Sequence, residues 1–93
     1  MLFLCYRYLH DVCCGHGEVV RVLLTLEEVN PDKLDSYNRT PLLHAASGGH
    51  VEVVAILLRQ EEVNPDQQDG CDQTPLFHAA QNGHAGVVKV LFG

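Results

Sequence analysis

An all-α solenoid, made of helix-turn-helix units joined by inter-repeat loops and short β-turns, is the fold class this sequence predicts. Three observations lead there. The hexapeptide EEVNPD occurs at Glu27–Asp32 and again at Glu61–Asp66. Shifting the chain by 34 positions lays Gly15–Asp32 over Gly49–Asp66 with 13 of 18 residues identical, and lays Thr40–His50 over Thr74–His84. A further copy, GHAGVVKVLFG, opens at Gly83. One offset accounts for every match, and a period of this length is that of stacked helical repeats. The offset divides a single solenoid domain into a degenerate first repeat at 1–34, a full repeat at 35–68 and a truncated one at 69–93.

The elements follow in order. In the first repeat, Tyr6-Arg7 stands where later copies have Thr-Pro, and Asp11-Val12 replaces an alanine pair. Leu9-His10 keeps register with Leu43-His44. Without a start signal the first dozen residues are predicted to be loosely defined, and the second helix of that repeat, about Gly17–Leu26, to be firm. In the second and third repeats, Pro41 and Pro75 push Thr40 and Thr74 out of the α region, the backbone state an N-cap requires. Proline itself suits the first helical position, where its missing N–H costs nothing. A first helix therefore starts at Pro41 and at Pro75 and ends in Gly48-Gly49 or Asn82-Gly83. The pairs Ala45-Ala46 and Ala79-Ala80 are small enough to let a neighbouring helix come close. The second helix is predicted over Val51–Arg59 and Ala85–Phe92, with Val53/Leu57 and Val54/Leu58 stacked at i, i+4 on one apolar face. Burying each such valine or leucine is worth about 1.5–3 kcal/mol. Asn-Pro then turns the chain out of the helix, and the hexapeptide recurs because that corner is turned once per repeat. Neither end has the polar outer face of a capping repeat. About two and a half well-formed units make a marginal array, which reads as a short gene product or a piece of a longer one.

Composition narrows the function classes. Apolar residues make up 46% of the chain, enough for a core. A formal charge of −6 repels phosphate backbones and anionic lipid, so neither nucleic acid nor membrane is expected as a partner. Arg7, His10 and Asp11 interrupt the apolar start MLFLCY, and no apolar run is long enough to span a bilayer. The four cysteines, with Cys13 and Cys14 adjacent, do not resemble a disulfide framework; an intracellular, reduced setting is expected, in cytoplasm or nucleus.

The pattern TPLxxAAxxGHxEVVxxLL, followed by a loop containing asparagine, resembles the ankyrin repeat over residues 15–93. With its VNPD loop the unit is most similar to the near-identical tandem arrays of fungal ankyrin proteins. There are departures. Leu43 and Phe77 hold the place of the histidine that family members commonly carry after TPL, and the histidines fall one position later, so that histidine's hydrogen bonds are not carried over. The glycine expected two residues before threonine is Asn38 and Asp72; Asn accepts a left-handed backbone more readily than Asp, and Gly70 is expected to help the second loop adapt. Glu61-Glu62 replaces the glycine that usually closes the second helix.

Six histidines form three pairs six apart: His10/His16, His44/His50 and His78/His84. His16, His50 and His84 are read as fasteners of the inter-helix turn. His44 and His78, with His10, could instead form a ladder able to bind zinc or sense pH, but metal sites need three or four converging ligands. Cys13-Cys14 with His16 and Cys5 lacks the spacing that brings two thiolates to one tetrahedral ion, and is read as incidental. There is no Gly-rich phosphate loop, HExxH or GxSxG, so no enzyme and no cofactor is expected. The paired acids Glu27-Glu28 and Glu61-Glu62 are read as solvated helix ends.

What the resemblance implies is protein–protein recognition through loop tips and the inner positions of the first helices. On matching positions the contact set is Ser36, Tyr37, Arg39 and Gln73 on loops, with Ser47, Gln81, Asn82, His44 and His78 on helices. Tyr37 and Arg39 are the preferred anchors, because aromatic and guanidinium groups dominate interface energetics. Two alternatives stand beside this: a structural segment that stacks on further repeats or on a second copy of itself, and a metal- or redox-responsive module built on the histidines and cysteines.

Overall fold

The computed structural model describes residues 2–25 and 30–93, with side chains described from Tyr8 onward. Among these residues all regular structure is helical: α1 Leu2–Cys13, α2 Gly17–Leu23, α3 Pro41–Ser47, α4 Val51–Leu58, α5 Pro75–Gln81 and α6 Ala85–Phe92. Each consecutive pair packs as a hairpin. The pairs then stack into two rows, α1–α3–α5 and α2–α4–α6.

Local chemistry accounts for the boundaries. Thr40 and Thr74 are extended, with φ −87° and −95°, and their hydroxyls accept the N–H of Leu43 and Phe77 at 3.1 and 3.2 Å. Pro41 and Pro75 follow at the first helical position. The turn into each second helix passes through Gly15, Gly49 and Gly83 at φ +75° to +76°, a left-handed state that costs glycine nothing. The α4 and α6 spans agree with the periodicity to within a residue. The α2 helix ends at Leu23, short of the predicted end, and Leu26 lies outside the described residues, as do Glu27 and Glu28 of the first hexapeptide.

The first repeat departs from expectation. A helix runs over Leu2–Cys13 although no capping signal opens it. Burial replaces the missing signals: Tyr8, Asp11 and Val12 are fully buried, and the Tyr8 hydroxyl donates to the Pro31 carbonyl at 2.8 Å. Asp11, in the place of an alanine, accepts a hydrogen bond from His16 Nδ1 at 2.9 Å. Burial, and then the charge of Asp32, push the Tyr8 phenol well above its usual range, so it stays a neutral donor.

The core is the apolar seam between the rows: Leu42, Ala45, Ala46, Val53, Val54 and Leu57 of the middle repeat, with Tyr8, Val12 and Val20 before them and Ala79 and Val87 after. The alanines permit the close approach of α1, α3 and α5.

The recurring corner has a physical use. Asn30 and Asn64 each accept, through the side-chain carbonyl, the N–H two residues on, at 3.0 and 3.1 Å, which closes the Asn-Pro-Asp turn. Asp32 Oδ2 then accepts the Asn64 N–H of the next repeat at 3.1 Å. The acids before it, Glu61 and Glu62, are solvent-exposed but lie in a turn beyond the C-cap Arg59 and not at the helix end itself, because α4 stops at Leu58.

Candidate functional site

Between the 35–40 and 69–74 loops, where each leads into α3 and α5, lies a cleft of about 500 Å³. It is lined by Ser36, Tyr37, Asn38, Arg39, Asp69, Gly70, Cys71, Gln73 and His78. Five residues of the sequence-derived contact set, Ser36, Tyr37, Arg39, Gln73 and His78, therefore meet in one place.

Each loop is built around an aspartate. Asp35 Oδ1 accepts the backbone N–H of Tyr37 and of Arg39 at 2.8 and 2.9 Å, while Oδ2 accepts Arg39 Nε at 2.9 Å and His44 Nε2 at 2.8 Å. Asp69 does the same with Cys71 N, Gln73 N and His78 Nε2, at 2.9, 3.0 and 3.0 Å. Burial alone would raise the Asp35 carboxyl, but the hydrogen bonds from Arg39, His44 and Tyr37 outweigh it and hold the group at about 2. The Asp69 carboxyl is lowered likewise, chiefly by the Gln73 N–H. Both aspartates are thus anionic at neutral pH, and each loop closes around a fixed negative charge.

That frame corrects three sequence expectations. His44 and His78 do not form a ladder; each is drawn to the aspartate of its own loop. Asn38 and Asp72 take the same left-handed state, φ +61°, and Gly70 is not among the positive-φ glycines. Gly70 instead donates its N–H to the Tyr37 carbonyl at 3.2 Å, tying one loop to the next. His50 and His84 fasten neighbouring repeats together, not their own turn: their Nε2 atoms donate to the Cys13 and Ser47 carbonyls of the preceding repeat, both at 3.0 Å.

The anchors are presented differently from one another. Tyr37 is 69% exposed at the loop tip, and the Arg39 guanidinium lies 4.9 Å from its ring centroid. The pair is an ordered cation–π unit whose cation is also braced by Asp35. Ser47 and Asn82 are engaged with each other: Asn82 Nδ2 donates to Ser47 O at 3.0 Å and to its hydroxyl at 3.1 Å. They belong to the seam between repeats more than to an open contact surface. Gln81 is exposed at the end of α5.

Among the described residues no three His, Cys, Asp or Glu side chains are grouped to hold a metal ion. His10 lies 3.8 Å from the Cys14 sulfur, and its ring meets that of His16 edge-on. The Cys13 thiol is pushed up, first by partial burial of the sulfur and then by the Cys14 thiol, the opposite of what a reactive thiolate needs.

Sequence reasoning missed Asp35 and Asp69. The signal was present as a recurrence, since each precedes its histidine by nine residues in two successive repeats.

Short helix pairs stacked in two rows, each touching the next, define an α-solenoid. The family model for ankyrin repeats, in three copies, matches residues 9–93. The chain belongs to the ankyrin-repeat family, whose members generally serve as protein–protein interaction modules. No curated protein matches it. No helix among the described residues is long and apolar enough to cross a membrane.

Proposed function

We propose that this chain is a non-catalytic adaptor that takes an extended segment of a partner polypeptide in the cleft between the 35–40 and 69–74 loops. The observation carrying this reading is the convergence of Ser36, Tyr37, Arg39, Gln73 and His78 on that cleft. The hydrogen bonds to Asp35 and Asp69 order both loops before any partner arrives, which lowers the entropy cost of binding. Tyr37 supplies an exposed aromatic face of the sort that dominates interface energetics. Cys13, Cys14 and Cys71 are free and exposed, in keeping with an intracellular, reducing setting.

The test uses peptides selected from a displayed random library on the wild-type chain. Tyr37→Ala or Arg39→Ala is expected to weaken a selected peptide by about 1–2 kcal/mol, roughly 5- to 30-fold. Glu62→Ala, outside the cleft, should leave affinity unchanged. Peptides that bind Tyr37→Ala and Arg39→Ala as tightly as wild type would remove the cleft as the site.

A further inference from the structure

The helix pairs are copies, so comparing one repeat position across them separates side chains that face the preceding pair from those that face the following one. Val22 is 63% exposed, whereas Ile56, the same position one repeat later, is 4% exposed. Val19 is likewise exposed where Val53 and Val87 are buried. These positions face backwards. In the other direction, Leu43 is 2% exposed and Phe77 44%. Ala46 is buried and Ala80 exposed; Val54 and Leu57 are buried, Val88 and Leu91 only partly. These positions face forwards. The α1–α2 end and the α5–α6 end are therefore the two halves of an interface that the molecule already makes twice within itself.

The polar features obey the same register. A Cβ on Gly15 would lie 2.5 Å from His50 Nδ1, and one on Gly49 2.7 Å from His84 Nδ1, so each glycine is covered by the histidine of the next repeat. Nothing lies within 4 Å of the corresponding point at Gly83. The first pair carries its own histidine at the inserting position, His16, whose side chain is half-exposed although its Nδ1 is held by Asp11 Oδ1 at 2.9 Å. Arg21 faces Glu52 of the next repeat at 3.9 Å. The position of Arg21 is held in the last pair by Lys89, and the position of Glu52 in the first pair by Glu18. Apolar faces, socket and charges keep one register at the two ends, with Glu18 also 2.7 Å from Arg21 of its own helix.

We infer that two copies of this chain associate head to tail, the α1–α2 end of one seated on the α5–α6 end of the other. Val19 and Val22 pack on Phe77, Ala80 and Leu91; the His16 ring covers Gly83; Glu18 faces Lys89. Such a contact joins two different surfaces, so each added copy leaves the same pair of ends open and association continues beyond a dimer. The contact uses neither the loop cleft nor its anchors, so it stands or falls separately from the adaptor reading.

Analytical ultracentrifugation of the full chain, from micromolar to millimolar concentration, tests it. For the wild type the weight-average mass should rise past that of a dimer. Val22→Lys and Ala80→Lys each spoil one end at an exposed position, and each alone should sediment as a monomer with wild-type helical circular dichroism. Mixed in equal amounts, they should form a one-to-one dimer and nothing larger. Should either lysine reduce the helical signal, Glu18→Lys or Lys89→Glu replaces it at the same end, with the same result expected. A wild type that stays monomeric throughout, association that survives a change at either end, or a mixture that stays monomeric while the wild type associates would each overturn the inference.

Discussion

Asp35 holds four partners with two oxygens: two backbone N–H groups, a guanidinium and an imidazole. Removing it leaves the turn donors to water and releases both Arg39 and His44. Asp35→Ala is expected to cost about 2–3 kcal/mol in urea unfolding, since charged hydrogen bonds contribute about 1.5–3 kcal/mol each and solvent recovers part of the loss. The same carboxyl predicts an acid limb. Its folded value, about 2, lies below the ordinary value of 3.8, so its stabilisation is complete above the ordinary value and is lost as pH falls through about 2. Asp69 acts in the same direction. Unfolding midpoints measured as pH is lowered from neutral should fall across that window, and Asp35→Asn should flatten the fall. Tyr37 and Arg39 were legible as residues from their types and loop position. The carboxylate that orders them was not, because an aspartate in a loop looks solvated until its partners fold around it.

At the scale of the element, none of the helices α2 to α6 exceeds eight residues, well under the ~12–15 that an isolated helix needs to persist in water. Caps and neighbours hold them. Thr40→Ala removes a buried cap and should lower stability by about 1 kcal/mol, whereas Thr40→Ser should recover most of it. The inter-helix glycines allow a paired comparison. Gly49→Ala and Gly83→Ala impose the same left-handed strain at φ +76°, but only at Gly49 does the new methyl meet a histidine ring. Gly49→Ala should therefore destabilise more in thermal melts, and equal losses would mean that the histidine seat contributes nothing. Helix starts at Pro41 and Pro75 were readable because capping is local chemistry. The α1 helix was not, because burial of Tyr8 and Val12 against later repeats supplies what its own sequence lacks.

For the whole molecule, the helix pairs pack in succession, so the middle one carries both main interfaces. Leu57, fully buried, packs within that seam, and Leu57→Ala is expected to cost about 2–5 kcal/mol and to melt the chain as one unit. The same truncation at Leu91, which is only partly buried, should cost less. If both changes cost the same, the end repeat would be packed as tightly as the middle one, contrary to the arrangement here.

The sequence by itself determined the repeat length, the helix-turn-helix unit and the capped starts of α3 and α5, because each depends on residues a few positions apart. Only the tertiary structure decided which groups meet across repeats. His50 reaches a carbonyl 37 residues earlier, Asn64 reaches Asp32, and the two loops close on one cleft. Those contacts depend on the rise and turn from one helix pair to the next, which packing of whole side chains sets and local propensity does not.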